Sequence, residues 1–314
     1  RPPRPTLFPY TTLFRSPPTA VITGDTVGAI AVAIREHLGP AIVGIDIINM
    51  EEIARRIDAA MVHNTSAKAA VDMAVWDLHG KLHSAPLCNL LGGYRPSIVT
   101  DLTISANEPE IMVSDAADAL SRGYTTLKIK LGKDPARDME RMRAIRDAVG
   151  PVVKLRVDAN QGWLVSIVDR IPAWDLERAK EFAVACHANG YQWLEEPLDS
   201  RDYDGNAALK KVSPVRISGA ELNYGWDEIK VMFEKDCFHV YQPDATFAGG
   251  IAQVRKVLEA CRHHQREFTP HTWTNRIGFY VNWNMVLADK DNTLPLEYPL
   301  EEPSWVPAAR EGII

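Results

Sequence analysis

The chain has 314 residues, 46% hydrophobic and 24% charged, with 35 basic and 41 acidic side chains and a formal net charge of −6. This describes a soluble globular protein of about two domain lengths, or one barrel with an attachment. No apolar run approaches the ~20 residues of a membrane span, and the lack of a basic tract speaks against nucleic acid as a partner.

Residues 1–16 are rich in Pro, Arg and Thr and lack both helical and strand periodicity and the apolar core of a signal peptide. Thr6–Ser16 matches, residue for residue, the translation of a widely used sequencing-adapter oligonucleotide. Residues 1–16 are therefore expected to be non-native, with native sequence resuming near Pro17. From about Thr26 to Leu91 the pattern is helical: Val27–Leu38, Met50–Val62 and Ala67–Leu82 carry apolar residues at i, i+3 and i+4. Asn64-Thr65-Ser66 offers N-caps, and Leu91-Gly92-Gly93 offers a stop.

From Ser97 the rhythm changes. Short β-rich runs fall at Ile98–Ile104, Thr125–Leu131, Val152–Val157, Tyr191–Leu194, Arg216–Gly219, Val240–Gln242, Glu267–Thr269 and Leu294–Leu296. Helical patterns fill most intervals, among them Glu110–Arg122, Met139–Val149, Leu176–Asn189, Ile229–Lys235 and Ile251–His264. Eight strands alternating with helices predict an α/β fold of the (β/α)8 (TIM) barrel type. A doubly wound open sheet is the alternative, but no Gly-x-Gly-x-x-Gly follows the first strand. The chain ends on Ile313-Ile314 without a cap or polar tail, so truncation at both ends is expected. Cys88, Cys186, Cys237 and Cys261 are scattered and form no Cys-x-x-Cys pair, which fits a reducing cytoplasm rather than a zinc or disulfide scaffold.

Active sites of such barrels lie where strands run out into βα-loops. Read in order, those ends carry Lys128 and Lys130, Asp158 with Asn160, Glu195, Glu221, Asp244, His271 and Glu297. The strand period of two puts both lysines on one face, which also suits a solvated edge strand. Asp158 and Asn160 alternate likewise, or else mark a turn. Asp158, Glu195 and Glu221 lie 37 and 26 residues apart and end three successive strands. Three converging carboxylates repel one another unless they bind a hard divalent ion, for which oxygen ligands favour Mg²⁺ over Zn²⁺. Asp244 and His271 end the next two strands and suit a dyad in which the carboxylate orients the imidazole, although a lone histidine is as readily structural. His263 and His264 fall on a helical pattern and read as surface residues. Neither a Gly-x-Ser-x-Gly elbow nor a P-loop occurs.

This ordered set, with Glu195-Glu196-Pro197, Gly249-Gly250, Ala70-Val-Asp72-Met-Ala74-Val-Trp76-Asp77-Leu78 and Leu90-Leu91-Gly92-Gly93, resembles the enolase superfamily in its mandelate-racemase-like subgroup. The resemblance implies a truncated α+β capping domain over 17–93, a catalytic barrel over 94–300 and, at 301–314, the start of a segment returning to the cap. It implies that Asp158, Glu195 and Glu221 bind Mg²⁺, which holds the carboxylate of a small substrate. The metal ligand falls on Glu195 rather than Glu196. Lys130 would be the base on one face of the α-carbon, with Lys128 and Asn160 beside the substrate. His271, oriented by Asp244, would serve the other face, and Glu297 would hydrogen-bond the carboxylate and stabilise the enediolate. A lysine acts as base only when its pKa falls toward neutral, and the neighbouring cation is expected to lower it. The resemblance further implies a homo-oligomer in the full-length form.

Such a site permits two outcomes. Dehydration of an acid sugar or related hydroxy acid is the preferred reading, and racemisation or epimerisation of a 2-hydroxy or amino acid derivative is the alternative. Trp273, Phe279 and Trp283 speak against a very polar substrate unless they pack the seventh helix. Two other classes remain: a Schiff-base aldolase-type barrel using Lys128 or Lys130, and a catalytically incompetent truncated fragment.

Overall fold

The computed structural model describes residues 20, 23–93, 95–132, 134–163, 172–272, 276–291 and 294–298. The adapter-like residues 1–16, Trp273 and the segment 301–314 lie outside the described residues. Seven strands form one sheet in sequence order: β1 (Leu102–Ile104), β2 (Thr126–Lys130), β3 (Lys154–Asp158), β4 (Tyr191–Glu195), β5 (Arg216–Gly219), β6 (Val240–Tyr241) and β7 (Glu267–Phe268). Every neighbouring pair is parallel. The eighth β-rich run forms a parallel bridge between Leu296 and Thr100. Asp101 and Thr103 donate their N–H to Leu296 and Tyr298, and the Thr269 hydroxyl donates to Pro295 O at 3.2 Å. The last run thus lies between β1 and the end of β7 and closes the barrel.

Strands covered on both sides need apolar residues facing their helices. Leu127, Ile129, Leu155, Val157, Leu194 and Ile217 meet that need and are fully buried. The alternate positions on the same strands, including Lys128, Arg156 and Trp193, point into the barrel. The helices outside are α4 (Pro109–Ser121), α5 (Pro135–Val149), α6 (Leu176–Ala188), α7 (Tyr203–Val212), α8 (Trp226–Lys235), α9 (Ile251–His264) and α10 (Arg276–Ala288). Local chemistry starts several of them. Asp175 accepts the N–H of Arg178 at 2.8 Å before α6, and Asp202 that of Gly205 at 2.9 Å before α7.

Among the described residues the cap consists of helices: α1 (Val27–Ala33), α2 (Met50–Ala60) and α3 (Thr65–His83). The Thr26 hydroxyl caps α1, accepting from Ala29 N at 3.2 Å. The helix then passes through a π-helical turn, Ile34–Leu38, into Gly39–Ile42. α3 serves two cores. Ala67, Ala70, Val71 and Val75 pack with Ile30, Leu38, Ile53 and Ile57 of the cap, whereas Ala69, Met73 and Trp76 join the barrel's core. A helix apolar on nearly every side is one buried between two bodies, and this sets Asp72 at the boundary of cap and barrel.

Candidate active site

The inward alternation of β2 brings both lysines to the carboxylates. Lys128 is 1% exposed and pairs with Glu195, with Glu297 at 3.0 Å and with Asp158 at 3.2 Å. Lys130 Nζ, at the strand's open end, donates to Asp158 Oδ2 at 2.5 Å and to Asn160 Oδ1 at 3.4 Å. The solvated-edge reading of this strand is thereby excluded. Asn160 does not continue the strand: it has a φ of +51°, and its N–H donates to Asp158 Oδ1 at 2.9 Å. It reaches the site through an Asx-type turn rather than through alternation.

Asp158, Glu195 and Glu221 are buried and offer ligand oxygens all within 4.8 Å of one another. Glu221 Oε2 has no hydrogen-bond partner although it is buried. An orphaned carboxylate oxygen of this kind demands a cation or donor, and three hard oxygens fit a divalent ion of the Mg²⁺ type. Glu195 is oriented by Gln242, whose Nε2 donates to Oε2 at 2.9 Å. Glu196 turns away, with a φ of +44°, and accepts the N–H of Ala220 at 3.0 Å. It braces the end of β5, which carries Glu221, and it lies outside the ligand triad.

The second group lies across β6 and β7. His271 Nδ1 faces Asp244 Oδ2 at 3.0 Å, so Asp244 accepts the Nδ1 proton and leaves Nε2 turned to the site. That Nε2 stands 3.7 Å from Glu221 Oε2 and 3.9 Å from Glu297 Oε2. Asp244 is locked through its other oxygen, which accepts from the Thr246 N–H at 2.8 Å, the Thr246 hydroxyl at 2.7 Å and Asn282 Nδ2 at 3.1 Å. Asn282 also donates to His271 O at 2.8 Å. Glu297 is fixed from β1, where the Thr103 hydroxyl donates to its Oε1 at 3.0 Å.

Charge decides the protonation states. Burial pushes the Lys130 ammonium pKa down, but Asp158 outweighs it and raises the group above its ordinary value; Lys128 is raised further by Glu195, Glu297 and Asp158. The expected fall of the Lys130 pKa toward neutral therefore does not occur in this charge state, because nearby carboxylates outnumber ammonium groups. Burial pushes Asp158 up, yet Lys130 and Lys128 hold it down at about 2. Burial and the charge of Asp158 push Glu195 well above the carboxylate range. Glu297 is held well below it, since Lys128 and Lys130 outweigh its burial. Burial opposes protonation of His271, but Glu221, the Asp244 hydrogen bond and Glu297 together raise its pKa.

Several residues of this constellation escaped sequence reasoning: Thr103, Gln242, Thr246, Asn282 and the pair Arg156–Asp101. Arg156 donates to Asp101 at 2.5 Å, and its guanidinium carbon lies 3.7 Å from the Trp193 ring centroid. Burial pushes Asp101 up to about 6 against the pull of Arg156. A lone polar residue on the buried side of α10 was the one available signal for Asn282. Phe279 and Trp283 lie on α10, their rings 6.0 Å apart, and Phe279 also meets Tyr298. They pack the seventh βα helix.

Residues 112–309 match the family described as enolase C-terminal domain-like, and residues 18–92 the mandelate racemase/muconate lactonizing enzyme N-terminal domain. An L-Ala-D/L-Glu epimerase of Clostridium acetobutylicum is 52% identical over 145 residues, covering 46% of this chain and 40% of the relative. The L-Ala-D/L-Glu epimerase of Bacillus subtilis is 42% identical over 263 residues, 78% of this chain and 66% of the relative. A structure of that Bacillus subtilis enzyme with substrate superposes at a TM-score of 0.82, over 94% of this chain and 78% of the other, at 29% identity across this wider alignment. More distantly, an L-talarate/galactarate dehydratase of Salmonella typhimurium is 29% identical over 244 residues, 76% of this chain and 56% of the relative. The chain spans between 40% and 66% of the length of these curated relatives. No helix among the described residues is long and apolar enough to cross a membrane. By both family matches and by its barrel of converging strand ends, the chain belongs to the mandelate racemase/muconate lactonizing enzyme family of the enolase superfamily.

Proposed function

We propose that this site racemises or epimerises a small carboxylate, an amino acid derivative of the dipeptide class, by removing and returning the proton α to the carboxylate. One observation carries the reading: two proton-transfer groups, Lys130 of β2 and His271 beyond β7, approach one carboxylate cluster from different walls of the barrel. The epimerase relatives support this outcome over the dehydration that sequence reasoning preferred. Asp158, Glu195 and Glu221 would hold Mg²⁺, which would bind the substrate carboxylate and offset the charge that builds there as the proton leaves.

The chain's own groups divide the remaining work. Lys130 Nζ takes the α-proton on one face, and Lys128 beside it favours the neutral amine that this requires. A divalent cation among the carboxylates would remove much of the charge that now holds Lys130 protonated. His271, kept protonated by its carboxylate neighbours, delivers the Nε2 proton to the opposite face, and Asp244 fixes the ring by accepting the Nδ1–H hydrogen bond. Glu297 and Asn160 complete the substrate's polar contacts. A Schiff base on Lys128 would need that amine neutral and accessible, and its burial and its ion pairs with Asp158, Glu195 and Glu297 oppose it.

The test is α-proton exchange of L-Ala-L-Glu and L-Ala-D-Glu in deuterium oxide, followed by NMR. Exchange from both diastereomers, abolished by EDTA and restored by Mg²⁺, is expected. Wild-type protein inert toward both dipeptides, yet active on an acid sugar with loss of water, would establish dehydration. The dehydratase relative keeps that second reading in view, with His271 protonating the leaving hydroxide.

A further inference from the structure

The loop that carries Asp244 is fastened from the cap. α9 follows this loop, and Gly250 at its start supplies no capping side chain, so the first amides of the helix need acceptors from elsewhere. Asp72, in the middle of α3, provides them: its Oδ2 accepts the N–H of Ile251 at 2.6 Å, and it also accepts that of Ala252. The carboxylate meets the positive end of the helix dipole there. The fit is tight. A Cβ on Gly250 would lie 2.5 Å from Asp72 Oδ2, and the Gly250 φ of +100° already favours glycine. From this anchor the loop folds back on Asp244. Gly250 donates to Ala245 O at 2.9 Å, and Ala248 and Phe247 donate to Asp244 O at 2.7 and 3.0 Å. The loop is thus held between the cap's Asp72 at one end and the backbone carbonyl of Asp244, the residue whose carboxylate orients His271, at the other.

We infer that Asp72 is a positioning residue for the His271 face of the reaction: by holding the first turn of α9, it sets the loop that aims Asp244. This rests on the two-face reading above. A second link between cap and α9 provides an internal control. Asp58 of α2 accepts from Gln253 Nε2 at 3.0 and 2.8 Å and leaves the 244–250 loop untouched.

The experiment is dipeptide exchange in deuterium oxide with Mg²⁺, using L-Ala-L-Glu and L-Ala-D-Glu separately. His271→Asn and Lys130→Ala first assign each diastereomer to its base. Asp72→Ala is expected to slow exchange on the His271 face by about 10–100-fold, the range for loss of a group that orients a functional side chain. The Lys130 face should stay within about twofold and KM should be unchanged. Asp72→Asn, which keeps an acceptor oxygen, should recover most of the loss, and Asp58→Ala should leave both faces alone. Should Asp72→Ala fold poorly, Gly250→Ala strains the same contact from the barrel side and is expected to give the same one-sided loss. Equal slowing on both faces, or the same asymmetry in Asp58→Ala, overturns the inference. Wild type exchanging neither dipeptide overturns the two-face reading, and this inference with it.

Discussion

The two walls of the site are controlled by different physics. On the β2 wall, Lys128 and Lys130 sit directly among carboxylates, and their state is set by whatever charge those carboxylates carry. On the β6–β7 wall, His271 is held by one carboxylate that is itself pinned by a backbone amide, a hydroxyl and an amide side chain. The first wall is tuned by electrostatics and answers to a bound cation. The second is tuned by geometry and answers to the loop and helix that support it. Enzymes need both kinds of control when one amine must lose its proton while an imidazole on the other side of the same carboxylate cluster keeps its own.

Perturbing the carboxylates should collapse the difference between the walls. Glu221→Gln removes a triad oxygen and is expected to reduce exchange of both dipeptide diastereomers to background, as measured by NMR; persistence on one face would separate that face from the metal. His271→Asn should do the reverse and expose the difference. Epimerisation should fall by about 10²–10⁴-fold, the usual worth of general acid–base catalysis, with exchange surviving on the Lys130 face.

The geometric wall should also answer to pH through the cap. Burial pushes Asp72 up to about 7 despite the amides of Ile251 and Ala252. A carboxyl raised in the folded state contributes full stability below its unfolded pKa, and that contribution is lost as pH climbs through the folded value. Wild type should therefore lose stability relative to Asp72→Asn between about pH 4 and pH 7. The loss should be on the order of a few kcal/mol at ~1.4 kcal/mol per unit. Urea melts across that range test it, and parallel curves for the two proteins would rule it out. The smallest effect is expected from Asn282→Ala, which leaves His271 O and Asp244 Oδ1 each short of a donor. A cost of ~1–3 kcal/mol in urea unfolding should accompany it, with the His271 face slowed and the Lys130 face spared.

Most of the barrel was legible in the chain because period-two and helical patterns alternate cleanly. Thr125–Leu131 and Arg216–Gly219 fall on β2 and β5 almost residue for residue, and all the candidate strand-end residues do meet at one end of the barrel. α7 was harder to read, since Tyr203–Val212 opens on Asp204, Gly205 and Asn206, which are poor helix formers. The eighth run is legible as a strand but, among the described residues, forms only a single bridge at Leu296. Within the site, side chains with charge announced themselves, whereas neutral ones did not. Thr246 caps Asp244 within a local turn two residues on, but nothing local in the sequence tells Asn282 that its partner is Asp244, because that pairing exists only once β6 and α10 are packed. The sign of the Lys130 shift was misjudged for a similar reason. Neighbours in sequence include a second lysine, but neighbours in space are mostly acids.

α3 has a consequence for recombining this scaffold with its relatives. Its Met73 and Trp76 belong to the barrel's core, and its Asp72 closes a barrel helix, although by chain order it is part of the cap. A chimera joined near Gly93 would exchange α3 with the incoming cap and so import a foreign plug for α9. Joined instead at His63–Asn64, where both residues adopt left-handed backbone, it would replace α1 and α2 and keep the plug with its own barrel. The useful seam for exchanging caps thus lies one helix earlier than the boundary that chain order suggests.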